Sequence, residues 1–355
     1  MVNYNIENIQ LLNIYDMNIL KSFTGDTGIF KNMSIFSKEG TYCVLGDYSF
    51  FKTNSDINIY YISQLSLFID ENKKILFDSK YYFFNSPDYF IKNIDNILNT
   101  INKIDLNNKN ITDIGNDIIS IEKWFSTYGH YKDEAYNLCD FKNKLKLTYL
   151  MTKINYKILL DYKINNLGYN ISNYEIIQKY LFDNSAINAS EHNIIKMKNL
   201  MLIVNNYNDK TFHSFPVFSR NLILSKIETK NYNYEKIYIT RGIATHLTRN
   251  FSNEEEIKGF LLCKKFFIVN PELQTLDNFI NIIKNAKTIV LTWGSALTNM
   301  VYLKPNTNVY ILKSESYQHE TIELFMKIIK NYNLKIHIIT HINNKITIDK
   351  LEEIN

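Results

Sequence analysis

Residues Lys287 to Leu312 read KTIVLTWGSALTNMVYLKPNTNVYIL, and this stretch decides the fold. Thr288 to Leu291 is a short apolar run of strand length. It breaks at Gly294 and Ser295, after which Leu297, Met300 and Val301 recur at helical spacing until Pro305 stops the segment. A second β-branched run, Val309 to Leu312, follows. Strand, glycine turn, helix and strand make a βαβ unit, in which the helix N-terminus points at a ligand beyond the strand ends. Unpaired amides and the positive end of the helix dipole suit a phosphate there, and Gly294 lets the backbone approach it closely. A strand–turn–helix with one glycine is common, so the turn alone does not identify the ligand.

The same rhythm extends outward. KIYIT, KFFIV, KTIVLT, NVYIL and KIHIIT read as strands. Between them SNEEEIKGFLL, with three acids in its first turn, TLDNFINIIKNA, which Thr275 caps, and HETIELFMKIIKNY read as helices. Toward the N-terminus, TYCVLGDYSFF, INIYYIS, LSLFID and KILFDSKYYFF predict strands that include an antiparallel stretch. Tyr89 to Ile104 has helical spacing. IEKWFSTYGHYKDEAYNLCDF is a turn running into a helix, NYKILLD and NLMLIVNN are strands, and SNYEIIQKYLF is a helix capped by Ser172 with Glu175 three residues on. The expectation is an α/β protein of two domains, 1–215 (strand-rich, then α/β) and 216–355 (a doubly wound parallel sheet), with the crossover near His213 to Pro216.

At 355 residues the chain is long enough for two cores. Its 40 basic and 36 acidic residues give a net charge of +4, too weak and scattered to point to nucleic acid. Cys43, Cys139 and Cys263 are isolated and odd in number, so neither a disulfide framework nor a zinc site is implied. No apolar run reaches the roughly 18 residues of a membrane span, and MVNYNIENIQ lacks the pattern of a secretory leader. A soluble, reduced, cytoplasmic protein is expected. The aromatic N-terminal region (Tyr60, Tyr61, Phe83, Phe84) offers an interface for a homo-oligomer or a platform for a glycan.

Two further constellations carry chemistry. In IYITRGIATHLTRNFSNEEE, Arg241 closes a strand and Arg249 lies in the loop before a helix. Two arginines at that edge grip a diphosphate bidentately; they equally describe surface arginines pairing with Glu254 to Glu256. The chain holds only Arg220, Arg241 and Arg249 among its many lysines, so each points to a geometric need. In YGHYKDEAYNL, His130 and Glu134 are four apart at a helix start, the spacing of an oriented base, or of a half-exposed histidine beside acids.

Taken in order, these blocks resemble glycosyltransferase family 61, which holds capsular-polysaccharide, xylan and protein O-linked N-acetylglucosamine transferases. Gly129 to Glu134 (GHYKDE) matches its His-aromatic helix start. ITR to Arg241, Arg249, Asn253 to Glu256 and KKFFIVNPE match its middle block. AKTIV, Gly294-Ser295-Ala296-Leu297-Thr298-Asn299 and Pro305 match its last. The resemblance spans roughly residues 120 to 315. Three positions depart from it: Trp293 stands where the family usually has His, Asn250 replaces the second of paired arginines, and Ile311 occupies the place of a Glu, leaving Glu315 as its substitute for ribose binding.

The resemblance implies a GT-B enzyme: two Rossmann-like domains facing a cleft, with the donor on the C-terminal one and the acceptor side on the N-terminal one. The reaction implied is inverting transfer of a sugar from a nucleotide sugar, a UDP-sugar by preference, to a hydroxyl of a glycan or glycoconjugate. His130 is then the base or part of the acceptor site, with Glu134 orienting it or acting itself. Arg241 and Arg249 neutralise the diphosphate, and the amides of Ser295 and Ala296, in the motif that ends at Asn299, hold its oxygens. Trp293 stacks on a base or sugar, or merely packs. No cofactor and no metal are expected, because arginines and a helix dipole take the metal's place. The three departures leave room for a catalytically silent GT-B-like nucleotide- or glycan-binding protein.

Overall fold

The structure is a computed structural model. It describes residues 9–12, 40–45, 48–53, 56–65, 67–73, 75–77, 96–97, 99–121, 128–148, 156–160, 171–183, 185–204, 216–241, 251–315, 331–342 and 345–354. Half of the helix expected at Tyr89 to Ile104, most of the one at His319 to Tyr332 and nearly all of the crossover at His213 to Pro216 lie outside these residues; of the first helix, 96–97 and 99–102 are helical as expected. The chain forms two compact units, one of residues 1–125, 137–163 and 182–212, the other of 126–136, 164–181 and 213–355.

The first unit is built on a ten-stranded sheet. Its strands are β1 (Ile9–Leu12), β2 (Gly40–Leu45), β3 (Tyr48–Thr53), β4 (Ile59–Ile62), β5 (Leu67–Asp70), β6 (Ile75–Phe77), β7 (Thr112–Ile121), β8 (Lys157–Leu160), β9 (Ala186–Asn188) and β10 (Ile194–Val204). Among the described residues, α1 (Tyr128–Thr148) lies between β7 and β8 in the chain, and α2 (Ile171–Phe182), which falls almost wholly in the second unit, lies between β8 and β9. The four strands β9-β8-β7-β10 are parallel. On its other edge β10 is long enough to pair antiparallel with β4 through Ile194 to Met197 and with β3 through Met201 to Val204. The sheet is therefore mixed. That corrects the expectation of a doubly wound sheet here: the hairpins β2–β3 and β4–β5 join strands through short turns, and such turns enforce antiparallel pairing.

β4 is buried on both faces. Ile59 and Tyr61 enter a cluster with Ile118, Leu159 and Met197, while Tyr60 and Ile62 enter one with Leu67, Ile69 and Ile101. Tyr60 and Tyr61 are 6 % and 4 % exposed, so they are core and not a surface for a glycan or a second copy; Phe83 and Phe84 lie outside the described residues. β7 was not legible in TDIGNDIISI, because positive φ at Gly115 (85°) and Asp117 (61°) breaks its alternation. The register against β10 shifts there, and Asn199 Nδ2 donates to Asp117 Oδ1 at 3.2 Å. α2 begins at Ile171, so Ser172 lies inside the helix and is not its cap.

The second unit carries α3 (Val217–Lys226), β11 (Lys236–Ile239), α4 (Glu254–Cys263), β12 (Phe267–Val269), α5 (Leu276–Ile283), β13 (Thr288–Thr292), β14 (Asn308–Ser314), β15 (Lys335–His341) and α6 (Ile348–Leu351). All five strands are parallel, in the order β12-β11-β13-β14-β15. Alternation divides each strand between two faces: Tyr238, Val290, Tyr310 and Leu312 pack with Ile257 and Leu261 of α4 and Leu351 of α6. Thr275 Oγ1 accepts the Asn278 N–H at 3.3 Å, the expected cap of α5. Its sister helix α2 is tied to α5 within this unit, where Asn173 Oδ1 accepts the Leu276 N–H at 2.7 Å and Tyr180 donates to Asp277 Oδ2 at 2.6 Å.

Candidate functional site

The strand order of the second unit locates a crevice. From β11 the chain crosses to β12 on one side, then returns to β13 on the other. The crossovers from β11 to β12 and from β13 to β14 run in opposite directions; being right-handed, they send α4 and the segment after β13 to opposite faces, so the two part at the carboxyl edge. Arg241 follows β11, and Trp293, Gly294 and Ser295 follow β13. These two predicted elements, 50 residues apart in the chain, are neighbours at the switch point.

Register fixes their level. Ile239 pairs with Leu291, and Leu291 with Ile311. Two residues further on, Arg241, Trp293 and Lys313 form the next row along three adjacent strands. The ladder runs on past the strand ends, with Thr240 N–H to Val269 O and Trp293 N–H to Leu312 O both at 2.9 Å. Arg241 is half-buried and its Nη1 is sealed from solvent. Trp293 is 5 % exposed, and the Lys313 ammonium lies 5.8 Å above its ring. Of the two roles expected for Trp293, this packing occupies at least one ring face with a cation.

Gly294 has φ 152° and ψ −161°, a conformation open essentially to glycine alone. It lets the chain reverse within one residue of the strand into Ser295–Tyr302. This segment is 3₁₀ and not the α-helix expected. Its first internal bond is Leu297 N–H to Gly294 O at 3.0 Å, so the amides of Ser295 and Ala296 stand ahead of its ladder. Ala296 is half-buried, and Asn299 is buried at 5 % exposure on the inner side of the segment.

The far end of this segment is clamped from α3. Arg220 Nε donates to Val301 O at 2.6 Å and Nη2 to Leu303 O at 3.5 Å, with the guanidinium 5.3 Å over the Tyr332 ring. Ser219, beside it, donates its hydroxyl to Tyr136 O at 2.7 Å, and the hydroxyls of Tyr136 and Tyr302 bond to each other. Burial lifts the Tyr302 phenol well above its ordinary range and pushes Tyr332 up to about 12, so both stay protonated. Through Tyr136 the opening turns of α1 are joined to the 3₁₀ segment. His130 and Glu134 stand in those turns, six and two residues before Tyr136, roughly 9 and 3 Å along the helix axis.

Arg249 and its neighbour Asn250 lie outside the described residues. Ile311 is 1 % exposed within β14, and the strand runs three residues beyond it to Ser314. The place of the family's Glu is thus inside the sheet. Glu315, the first residue past β14, is exposed and donates its N–H to His341 O at 3.0 Å. On the α4 face, Tyr238 donates to Glu254 Oε1 at 3.0 Å; burial holds the Glu254 carboxyl above the usual range and the Tyr238 phenol well above its own. His341, 2 % exposed, meets Phe251 edge-on at 4.8 Å.

Reading the sequence missed Lys313, Tyr136, Tyr302 and Ser219. A signal existed for Lys313, which is two residues past Ile311 and so shares its face of β14. The tyrosine pair had none, because its members are 166 residues apart. Among the described residues no group of three or more His, Cys, Asp or Glu side chains is placed to hold a metal ion, and no helix is long and apolar enough to cross a membrane.

The profile of the family described as Glycosyltransferase 61 matches residues 128–310, just over half of the chain, from the first residue of α1 into β14. Comparison with curated proteins gives no match.

Proposed function

The chain belongs to the glycosyltransferase 61 family and is a glycosyltransferase acting on a sugar donor and an acceptor, and we propose that it transfers the sugar from a UDP-linked donor to a hydroxyl of a glycan or glycoconjugate with inversion. In this reading the two units form a GT-B arrangement in which the second binds the donor. The observation that carries it is the switch point, where Arg241 and the Gly294–Ser295 turn meet at the carboxyl edge of a parallel sheet.

The chemistry needs a base for the acceptor hydroxyl and positive charge for the leaving diphosphate. His130 takes the proton, with Glu134 orienting the imidazole. The hydroxyl oxygen attacks the anomeric carbon from the face opposite the diphosphate, which inverts that centre as the donor's bond to the phosphoryl oxygen breaks. Arg241, together with Arg249, offsets the charge that develops on the diphosphate, and the Ser295 and Ala296 amides hold its oxygens. The tie between Tyr136 and Tyr302 supports the pairing of base and donor turn, because it links the helix start that carries His130 to the segment that begins at Ser295.

Arg241→Ala tests the reading. Nucleotide-sugar turnover, including slow hydrolysis measured across UDP- and GDP-sugars, should be lost while the far-UV spectrum and thermal transition hold. Undiminished turnover would remove Arg241 from its role. Donor binding without any hydrolysis or transfer in the unaltered chain would favour a silent binding protein instead.

A further inference from the structure

The setting of Lys313 is unusual for a lysine. It lies within β14 and is only 8 % exposed. Among the described residues its ammonium meets no carboxylate and no hydrogen-bond acceptor, and its contact is the face of Trp293 at 5.8 Å. Its side chain is largely buried, and a cation so placed is best stabilised where an anion answers it. The ring supplies part of the attraction but no acceptor atoms. No acid in β14 neutralises it, since the next residue inward on the same face is Ile311.

Its position says which anion fits. In the row Arg241, Trp293, Lys313, the β13 turn lies in the middle and a cation stands on either side. Neighbouring strands are about 4.8 Å apart, so the two flanking backbones are roughly 10 Å apart across the turn. Gly294, in its glycine-only conformation, opens the 3₁₀ segment here, with the Ser295 and Ala296 amides ahead of its ladder. A phosphoryl group resting on those amides has Arg241 on the β11 side and Lys313 on the β14 side.

We propose that Lys313 is a phosphate ligand of the donor, its ammonium steadied on the Trp293 ring and pairing with diphosphate oxygens from the side opposite Arg241. The proposal rests on the donor-site reading above and extends it. It also gives Trp293 a purpose: its ring is the support of the Lys313 cation.

The test is titration calorimetry on the full chain with UDP, inorganic pyrophosphate and uridine. Lys313→Met keeps the stem against Trp293 and removes the charge. It should weaken UDP and pyrophosphate alike by about ten- to a hundredfold, the loss of one charge-assisted hydrogen bond, and leave uridine unchanged. Lys313→Arg should keep most of the affinity. If UDP and pyrophosphate bind the methionine variant as they bind the unaltered chain, Lys313 is not a phosphate ligand and the proposal fails alone, with the donor site intact. If the variant weakens only UDP-linked uronic acids and not UDP, the cation serves a sugar carboxylate, which also overturns it. If UDP and pyrophosphate bind neither protein, both the proposal and the donor-site reading fall. Should the methionine variant not fold, pyrophosphate should protect Lys313 of the unaltered chain from reductive methylation, and equal labelling with and without it would refute the assignment.

Discussion

Replacing Arg220 by lysine should damage the protein although the charge is kept. Arg220 reaches two carbonyls at the end of the 3₁₀ segment, Val301 O from Nε at 2.6 Å and Leu303 O from Nη2 at 3.5 Å, while its plane lies over Tyr332. Val301 and Leu303 are themselves fully buried, so their carbonyls depend on partners from the protein. A hydrogen bond to a charged donor contributes about 1.5–3 kcal/mol, and a partly shielded cation over a ring about 0.5–2. The 3.5 Å contact is weak by geometry and the guanidinium is only part-buried, so the lower ends apply. Removing the group with Arg220→Met should then cost about 2–3 kcal/mol. Lysine, a point charge without the fork, can satisfy one carbonyl and should lose about 1–2. Urea unfolding followed by the fluorescence of Trp293, in a Trp124→Phe background, reads the unit that carries the clamp. The midpoint should fall in the order arginine, lysine, methionine. A methionine variant within about 0.5 kcal/mol of the parent would refute the clamp, because that is the scatter of ordinary surface substitutions.

Two further outcomes follow from the same unit. Gly294→Ala forces a Cβ onto φ 152° and ψ −161°, which should cost about 1–3 kcal/mol in the unfolding midpoint and weaken UDP binding, since relief of the strain moves the Ser295 and Ala296 amides. His341 has its basicity lowered by burial first and by Lys350 second, with Glu315 opposing. A base depressed in the folded state contributes stability that is present above its unfolded pKa of about 6.5 and is lost as pH falls from there through the lower folded value. His341→Phe, which keeps the edge contact with Phe251, should therefore flatten the fall in melting temperature just below pH 6.5. An unchanged slope would mean that another group sets it.

The second unit was legible in the sequence almost strand for strand. Short apolar runs alternate there with helices at a fixed rhythm, Thr275 caps one helix, and Pro305 ends the 3₁₀ segment, so local periodicity carried the information. It also marked Arg241 and Gly294, because both stand at strand ends, where a parallel sheet binds its ligand. The family resemblance was carried by blocks within residues 128–310, the span that the family profile matches. The rest depends on contacts between segments distant in the chain. The first unit is mixed because β10 is long enough to hold β3 and β4 on one edge and β7 on the other, which no local pattern states. Tyr60 and Tyr61 looked like a surface and are core, since an aromatic strand buried on both faces reads the same as an exposed one. Arg220 was marked by its rarity, but only the fold shows that it closes the end of the 3₁₀ segment. The row Arg241, Trp293 and Lys313 exists because register sets three separate strands to one level, and register is a property of paired chains.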